Sequence, residues 1–298
     1  MHNTKNIGGQ AVIEGVMMKA PRNWTVAVRD QKGEIHLKRE PVGKLPAFLK
    51  LPVVRGTVAL YQALSIGMKA LEFSASKAYD DGEEKPMSPL AILSTMGFAV
   101  VIGVALFIFL PLYATKLAGA VLPLVSRNSL VFNLVDGVIR VFIFLGYVFA
   151  IGLWKDMRRI FEYHGAEHKV IHAYEAGREL DLDSVRAFSP QHPRCGTSFL
   201  LIVMVISILV FSCIPQSWPF TGKFLSRLVL IPVIAGLSYE LLRLSAKITD
   251  NPLLNILVLP GLLLQRLTTR EPDDSQIEVA IAAVKEVLRL EEGNDREA

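Results

Sequence analysis

The chain has 298 residues, 51% of them hydrophobic, and its 32 Lys and Arg against 28 Asp and Glu leave a net charge of +4. This leans toward a membrane class, and the small, scattered positive charge suits anionic headgroups rather than a nucleic-acid groove. The two cysteines, Cys195 and Cys213, fall in a loop and in an apolar run, which argues against a structural disulfide.

Residues 1–89 are predicted to form a small polar unit of mixed α/β structure. Gly8 to Met17 is β-compatible, with glycines at its margins. Glu14 inside it reads as the exposed side of a half-buried strand, with a supporting place near a functional site as the alternative. Trp24 to Arg29 and Glu34 to Arg39 flank Asp30-Gln31-Lys32-Gly33, a tetrapeptide suited to closing an antiparallel hairpin. Between Val53 and Ala78, the residues Val54, Val58, Tyr61, Leu64 and Met68 recur at helical spacing among basic residues, the pattern of a helix lying on a membrane surface. Asp80 to Pro89 reads as a linker.

Leu90 to Ala114 runs 25 residues without a charge, and a helix needs only about 20 to cross the hydrocarbon core. Leu130 to Trp154 is a second candidate, interrupted by Asp136 and Arg140, which are one turn apart and expected to pair with each other. Thr197 to Ile214 is a third, and Phe224 to Leu242, with Arg227, Pro232 and Glu240, a fourth. Pro252 to Leu264 is too short to span and reads as an interfacial or re-entrant piece. The fold class is thus a polytopic α-helical membrane protein with about four transmembrane helices. It divides into the polar unit 1–89, a first transmembrane hairpin 90–154, a polar segment 155–196, a second hairpin 197–250, and an interfacial segment with a terminal helix at 251–298. Residues 1–89 hold 13 Lys and Arg and residues 155–196 hold 7, against two in 115–129 and one in 215–226. The positive-inside rule then puts both termini and the middle segment in the cytoplasm. No secretory signal is evident, because the first long apolar run begins at residue 90. In the last segment Ser275 and Glu278 match a capping box, and Ile277, Ile281, Val284 and Leu288 form an apolar stripe expected to pack on the protein itself.

Four of the six histidines and one cysteine fall between residues 164 and 195. A helix over 158–176 would bring His164, His168 and His172 to one face. His164-x-x-Glu167-His168 has the order of inverted zinc peptidases: two neutral imidazoles one turn apart hold an ion, and the glutamate takes a proton from a water that the ion has acidified. Zn²⁺ or another divalent transition metal is therefore expected on His164 and His168 with His192 or Cys195. His172 and Glu175 would support the site or hold a second ion, and Glu240 either snorkels or turns toward the cluster. A thiol nucleophile, Cys195 paired with His192, is a weaker alternative.

Taken together, Gly8-Gly9-Gln10-Ala11-Val12-Ile13-Glu14-Gly15-Val16-Met17-Met18, His164-Gly165-Ala166-Glu167-His168-Lys169, His192-Pro193-Arg194-Cys195-Gly196-Thr197 and Gln265-Arg266-Leu267-Thr268-Thr269-Arg270-Glu271-Pro272 resemble the YqhQ-type family of bacterial membrane proteins over nearly the whole chain. The resemblance implies a bacterial inner-membrane location and a metal-dependent activity with no assigned substrate. It also implies that His164, Glu167, His168, His192 and Cys195 act as one unit, to which the late Leu-Thr-Thr-Arg-Glu-Pro segment returns.

The favoured expectation is a zinc-type hydrolase at the cytoplasmic membrane face, acting on a peptide or a lipid-linked amide or ester. Glu167 would be its general base, and Arg194 or Lys169 the oxyanion partner. A scaffold or assembly factor that engages other membrane proteins is the alternative, and a small transporter built on Asp136, Arg140 and Glu240 a third. Membrane lipids are expected partners, and the oligomeric state is left open.

Overall fold

The computed structural model describes residues 6–43, 46–79, 89–193, 195–215, 217–245 and 252–296. The polar unit is built on a four-stranded antiparallel meander of β1 (Gly8–Val12), β2 (Gly15–Lys19), β3 (Asn23–Arg29) and β4 (Ile35–Pro41), in that order. The expected single strand Gly8 to Met17 is two strands, because Ile13 and Glu14 form a tight turn that pairs Val12 with Gly15. Glu14 takes a φ of 49° there, so it is a turn residue and not the exposed side of a strand. Gly15 is required by close approach: a Cβ would lie 2.2 Å from the Ala27 carbonyl oxygen. The β3–β4 hairpin forms as expected, with Asp30 accepting from the Lys32 and Glu34 amides in the turn.

Both faces of the sheet are covered, as a period of two requires when neither side meets water. Val12, Met17, Trp24, Val26 and Val28 pack against Ile66, Ala70 and Ala78 of α1 (Val54–Ala78). On the opposite face Val16, Met18 and Ala27 pack against Tyr163, Ala166 and Val170 of α6 (Lys155–Glu175) and against α11 (Asp274–Arg296). The polar unit therefore does not close on itself: among the described residues, one face of its sheet is covered by helices from the middle and the end of the chain. The stripe on α11 packs inward as expected, with Ile277, Ile281 and Val284 buried. Its capping box is Asp273 with Gln276: the Gln276 amide donates to the Asp273 carboxylate at 2.9 Å, and the Asp273 amide to the Gln276 side-chain oxygen at 2.9 Å. Glu278, expected in that role, is held instead by Arg29 at 2.8 Å.

Among the described residues three helices are long and apolar enough to cross a membrane, at Ser94–Val121, Ser129–Ile151 and Phe220–Leu244. The first combines α2 (Pro89–Val104), a π-turn at Ala105–Phe109 and α3 (Leu110–Val121). It continues past Ala114 because Lys116 reaches over the Phe220 ring, 5.4 Å from its centroid, instead of ending the helix. A short α4 (Pro123–Arg127) leads into α5 (Ser129–Ile151). The expected span Thr197 to Ile214 is α8 (Gly196–Ser212), an apolar helix of 17 residues, shorter than the other three. After α7 (Leu182–Arg186) and α8 come α9 (Phe220–Ser245) and α10 (Pro252–Thr268). The last is one continuous helix containing Pro260 and extends four residues past Leu264, because its polar end, from Gln265, packs into the histidine region.

The start of α1 does not simply lie on a surface. It runs along α9, where Thr57 donates to the Pro232 carbonyl at 2.9 Å and Gly56 meets Gly236 so closely that a Cβ would fall 2.9 Å from the Gly236 Cα. Arg55 and the Val53 amide hold the Glu240 carboxylate. Glu240 is thus tied to α1 and does not turn toward the histidines.

Candidate metal centre

Helix α6 presents His164, His168 and His172 along one side, as a spacing of four demands, and its buried half is unusually polar. Pro190 and Gln191, in the segment after α7, and Cys195 lie against that side. The rings form a row: centroids of His164 and His168 are 4.4 Å apart, His168 and His192 5.8 Å, and His192 and His172 4.3 Å.

The tautomers are set by backbone carbonyls, which can only accept. His164 donates Nδ1–H to the Thr268 carbonyl at 2.8 Å, and His168 donates Nδ1–H to the Pro190 carbonyl at 2.6 Å. Each ring therefore carries its lone pair on Nε2, the arrangement by which an outer partner orients a metal-binding imidazole. Cys195 Sγ lies 3.3 Å from His164 Nε2, and one ligand atom each from His164, His168 and Cys195 lie within 4.8 Å of one another. Cys195 is also the N-cap of α8, accepting from the Thr197 amide at 3.4 Å, and a helix N-terminus favours a thiolate.

Burial keeps this set neutral without an ion. It lowers the pKa of His164, and that of His168 to about 3, so both imidazoles are neutral at physiological pH. It pushes the Cys195 thiol up to about 11, with the Glu167 charge adding to the rise. Glu167 is itself enclosed, its carboxyl pushed up to about 8 by loss of water and held back only by the Gly9 amide that donates to it. A Cβ on Gly9 would lie 2.9 Å from the Glu167 carboxyl carbon, so Gly9 makes room for this side chain.

His192 does not join His164 and His168 as a ligand within that radius. It donates Nε2–H toward Glu175 at 3.3 Å, beside His172, whose Nε2–H donates to the Gln191 carbonyl at 2.9 Å. His172, His192 and Glu175 thus form a second polar group adjoining the first. Lys169 turns away from both: its ammonium is bound by the Arg186 carbonyl at 3.0 Å and by Glu271 at 2.5 Å, which removes it as an oxyanion partner in this arrangement. Arg194 lies outside the described residues. Glu14 grips Arg159 and accepts from the Tyr163 hydroxyl at 3.2 Å, so it fastens α6 to the sheet one turn before the histidines instead of entering the cluster.

Residue-by-residue reading of the sequence did not single out Gln265, Thr268 or Gly165. Gln265 clamps the His192 backbone from both sides, accepting from its amide at 2.8 Å and donating to its carbonyl at 2.9 Å. Gly165 lets the segment after α10 lie directly on α6, where a Cβ would fall 2.0 Å from the Arg270 carbonyl oxygen. Arg270 then donates its amide to the Phe161 carbonyl at 2.9 Å. The small residue inside His-Gly-Ala-Glu-His and the polar end of an apolar helix were the available signals. The late Leu-Thr-Thr-Arg-Glu-Pro segment does return to the site.

The chain is a member of the family described as "Protein of unknown function (DUF1385)", whose model matches residues 51–290 and so takes in the long helices, α6, Cys195 and the segment after α10. It is 37% identical over 299 residues to the "Uncharacterized protein YqhQ" of Bacillus subtilis (strain 168), an alignment covering 95% of this chain and 92% of that protein. No solved structure matches the chain.

Proposed function

We propose that His164, His168 and Cys195 bind a divalent transition metal, with zinc the best fit, and that the protein is a metal-dependent hydrolase at the cytoplasmic face of the bacterial inner membrane. One observation carries the reading. Two imidazoles have their Nδ1–H groups spent on backbone carbonyls, and their Nε2 lone pairs share a buried space with a thiol sulfur. Three nitrogen and sulfur donors are the set that catalytic zinc uses when it keeps a fourth position open, whereas structural sites close with four. An ion held there would polarise a carbonyl or phosphoryl oxygen and acidify a water.

The chain's own residues supply the rest. Glu167, adjacent in sequence to His168 and close enough for its charge to raise the Cys195 thiol, would take the proton, since a dication on the neighbouring ligands would return its carboxyl to the ionised form that burial disfavours. The Gly9 amide and the enclosing β1 hold its carboxyl in place. Cys195 at the head of α8 and Thr268 at the end of α10 put the site where two apolar helices begin and end, which supports a substrate carrying a lipid or an apolar segment. In this reading α8 joins the three long helices as a fourth span, and both termini are cytoplasmic.

The contact between Cys195 and His164 supports a second reading, a thiol nucleophile with a histidine base. It ranks lower because burial holds the thiol protonated, up to about 11. The test is to purify the protein in detergent with zinc and assay lipid-linked ester and amide substrates beside Glu167→Gln. Loss of turnover with zinc retained is expected. Turnover persisting in that variant would remove the role given to Glu167, and turnover in fully chelated protein would favour the thiol.

A further inference from the structure

Buried charge in the long helices is held by ion pairing: Asp136 accepts from Arg140 at 2.6 Å and from Arg227 at 2.5 Å, and all three side chains are buried. The start of α1 meets its own charge in the same way. From Leu51 to Met68 the sequence has one charged residue, Arg55. Its guanidinium holds the Glu240 carboxylate of α9, to which the Val53 amide also donates at 3.2 Å. The rest of this contact is built as helices pack inside lipid, from small residues that let backbones approach and a hydroxyl that bonds across. Gly56 meets Gly236, and Thr57 donates to the Pro232 carbonyl. Gly236 stands about two turns, roughly 12 Å, before Leu244, where the apolar run of α9 ends, so α1 meets α9 well inside that run.

The two halves of α1 differ on the side that faces away from the protein. At 3.6 residues per turn, Gly56, Gly67, Ala70 and Ser74 share one face, and all four are buried. On the opposite face the first half carries Val54, Val58 and Tyr61, with Leu64 at its edge, and Val54, Tyr61 and Leu64 are exposed. The second half carries Ser65, Lys69, Glu72 and Ser76 there, all exposed. Just before the helix, Phe48 and Leu51 are exposed as well. The change from apolar to polar falls where the sheet takes over: Ile66 and Ala70 pack with Trp24 and Val26, and Gly67 lies against the Gln10 side chain of β1. A helix lying flat on a surface would carry its stripe along its whole length. On α9, Val229 shares the α1-facing side with Pro232 and Gly236, lies one turn beyond the contact and is exposed, and Val233 and Leu237 are exposed beside it. The apolar surface of α1 is thus continuous with that of α9.

We infer that the first half of α1, with the turn at Phe48 and Leu51, is immersed in the leaflet on the histidine side, its stripe of Val54, Val58, Tyr61 and Leu64 against lipid acyl chains, while the second half stands in water and carries the sheet. The side follows from the chain path. Helix α8 starts at Cys195, and α9 returns along it from Arg227 beside Phe211, so the Glu240 end of α9 lies toward the histidines. Acyl chains fit the stripe better than a protein partner, because it runs on into the apolar surface of α9 and its one charge is spent within the chain. Strand β1, whose Gly9 amide holds Glu167, is thereby tied to the membrane through Gly67 and Gln10. The inference rests on the reading that α9 crosses a bilayer.

The test places photoreactive p-benzoylphenylalanine in turn at Tyr61, Leu64, Glu72, Ser76 and Phe98 of the full chain, reconstituted into vesicles of phosphatidylethanolamine and phosphatidylglycerol. Phe98, exposed on the first long helix, is the lipid-facing control. After irradiation, mass spectrometry of the digested protein should find phospholipid adducts at positions 61, 64 and 98 and none at 72 and 76. Adducts at 72 and 76 as abundant as at 61, or none at 61 and 64 beside a clear one at 98, would overturn the immersion. Cross-linking of position 61 to a second copy of the chain in place of lipid would overturn the bilayer as occupant. Lipid absent from all five positions would overturn the membrane reading of the long helices itself.

Discussion

Replacing Glu167 with Gln should make the metal-free protein more stable, not less. Enclosure raises the Glu167 carboxyl from 4.5 to about 8, so the folded state prefers the neutral form. The sign follows from proton linkage: below pH 4.5 the side chain is neutral folded and unfolded, and folding loses nothing. Between there and pH 8 the unfolded chain ionises while the folded chain resists, so stability falls as pH rises and then levels off. At pH 7 the difference is about 3 kcal/mol, and above pH 8 it approaches about 5 kcal/mol. Gln keeps the shape and still accepts from the Gly9 amide, but carries no proton equilibrium. Chelated wild type and variant would be melted in the same detergent at pH 4.5 and pH 8. A higher melting temperature for Glu167→Gln at pH 8, vanishing at pH 4.5, is expected, and zinc should shrink it because a nearby dication stabilises the carboxylate. Equal melting at pH 8, or a less stable variant, would refute the reasoning that Glu167 sits neutral and dehydrated.

Metal uptake should expel the Cys195 proton, because a thiol held up to about 11 must ionise to become a ligand. Calorimetry at pH 9.5 in buffers of different ionisation enthalpy should report about one more proton released per ion in wild type than in Cys195→Ala, the metal-bound water contributing equally to both. Gly165→Ala would drive a Cβ into the Arg270 carbonyl, 2.0 Å away, and should cost about 1–3 kcal/mol; an unchanged melting temperature would contradict that contact. Asp136→Ala leaves two buried guanidiniums without their shared carboxylate, which should cost about 3–5 kcal/mol and sharply lower the folded yield; normal accumulation of folded protein would speak against the cluster.

What could be read from the sequence follows from how local each signal is. Charge-free runs and the 3.6 period gave the long helices, α6 and the stripe on α11, because burial and backbone pairing act within one element there. The expected pairing of Asp136 with Arg140 holds for the same reason, being one helical turn apart. The second arginine on Asp136 comes from residue 227, and no local pattern announces a contact across 91 positions. Glu14 was misplaced because a glycine-flanked apolar run reads equally well as one strand or as two around a tight turn. The capping box shifted from Ser275 to Asp273 since both fit the motif, and only the reciprocal Gln276 contacts decide between them. In the site, the ligand-type residues were legible from their density. The choice of Cys195 over His192 beside His164 was not, because it depends on where Cys195 is placed by the start of α8 and on Gln265 clamping His192 from α10.

The central claim is that His164, His168 and Cys195 hold a metal, and elemental analysis of detergent-purified protein tests it most directly. Near-stoichiometric zinc in wild type and in His172→Ala, with loss in His164→Ala, His168→Ala and Cys195→Ala, is the expected result. Absence of metal from wild type after purification with added zinc, or equal metal in all five proteins, would contradict it.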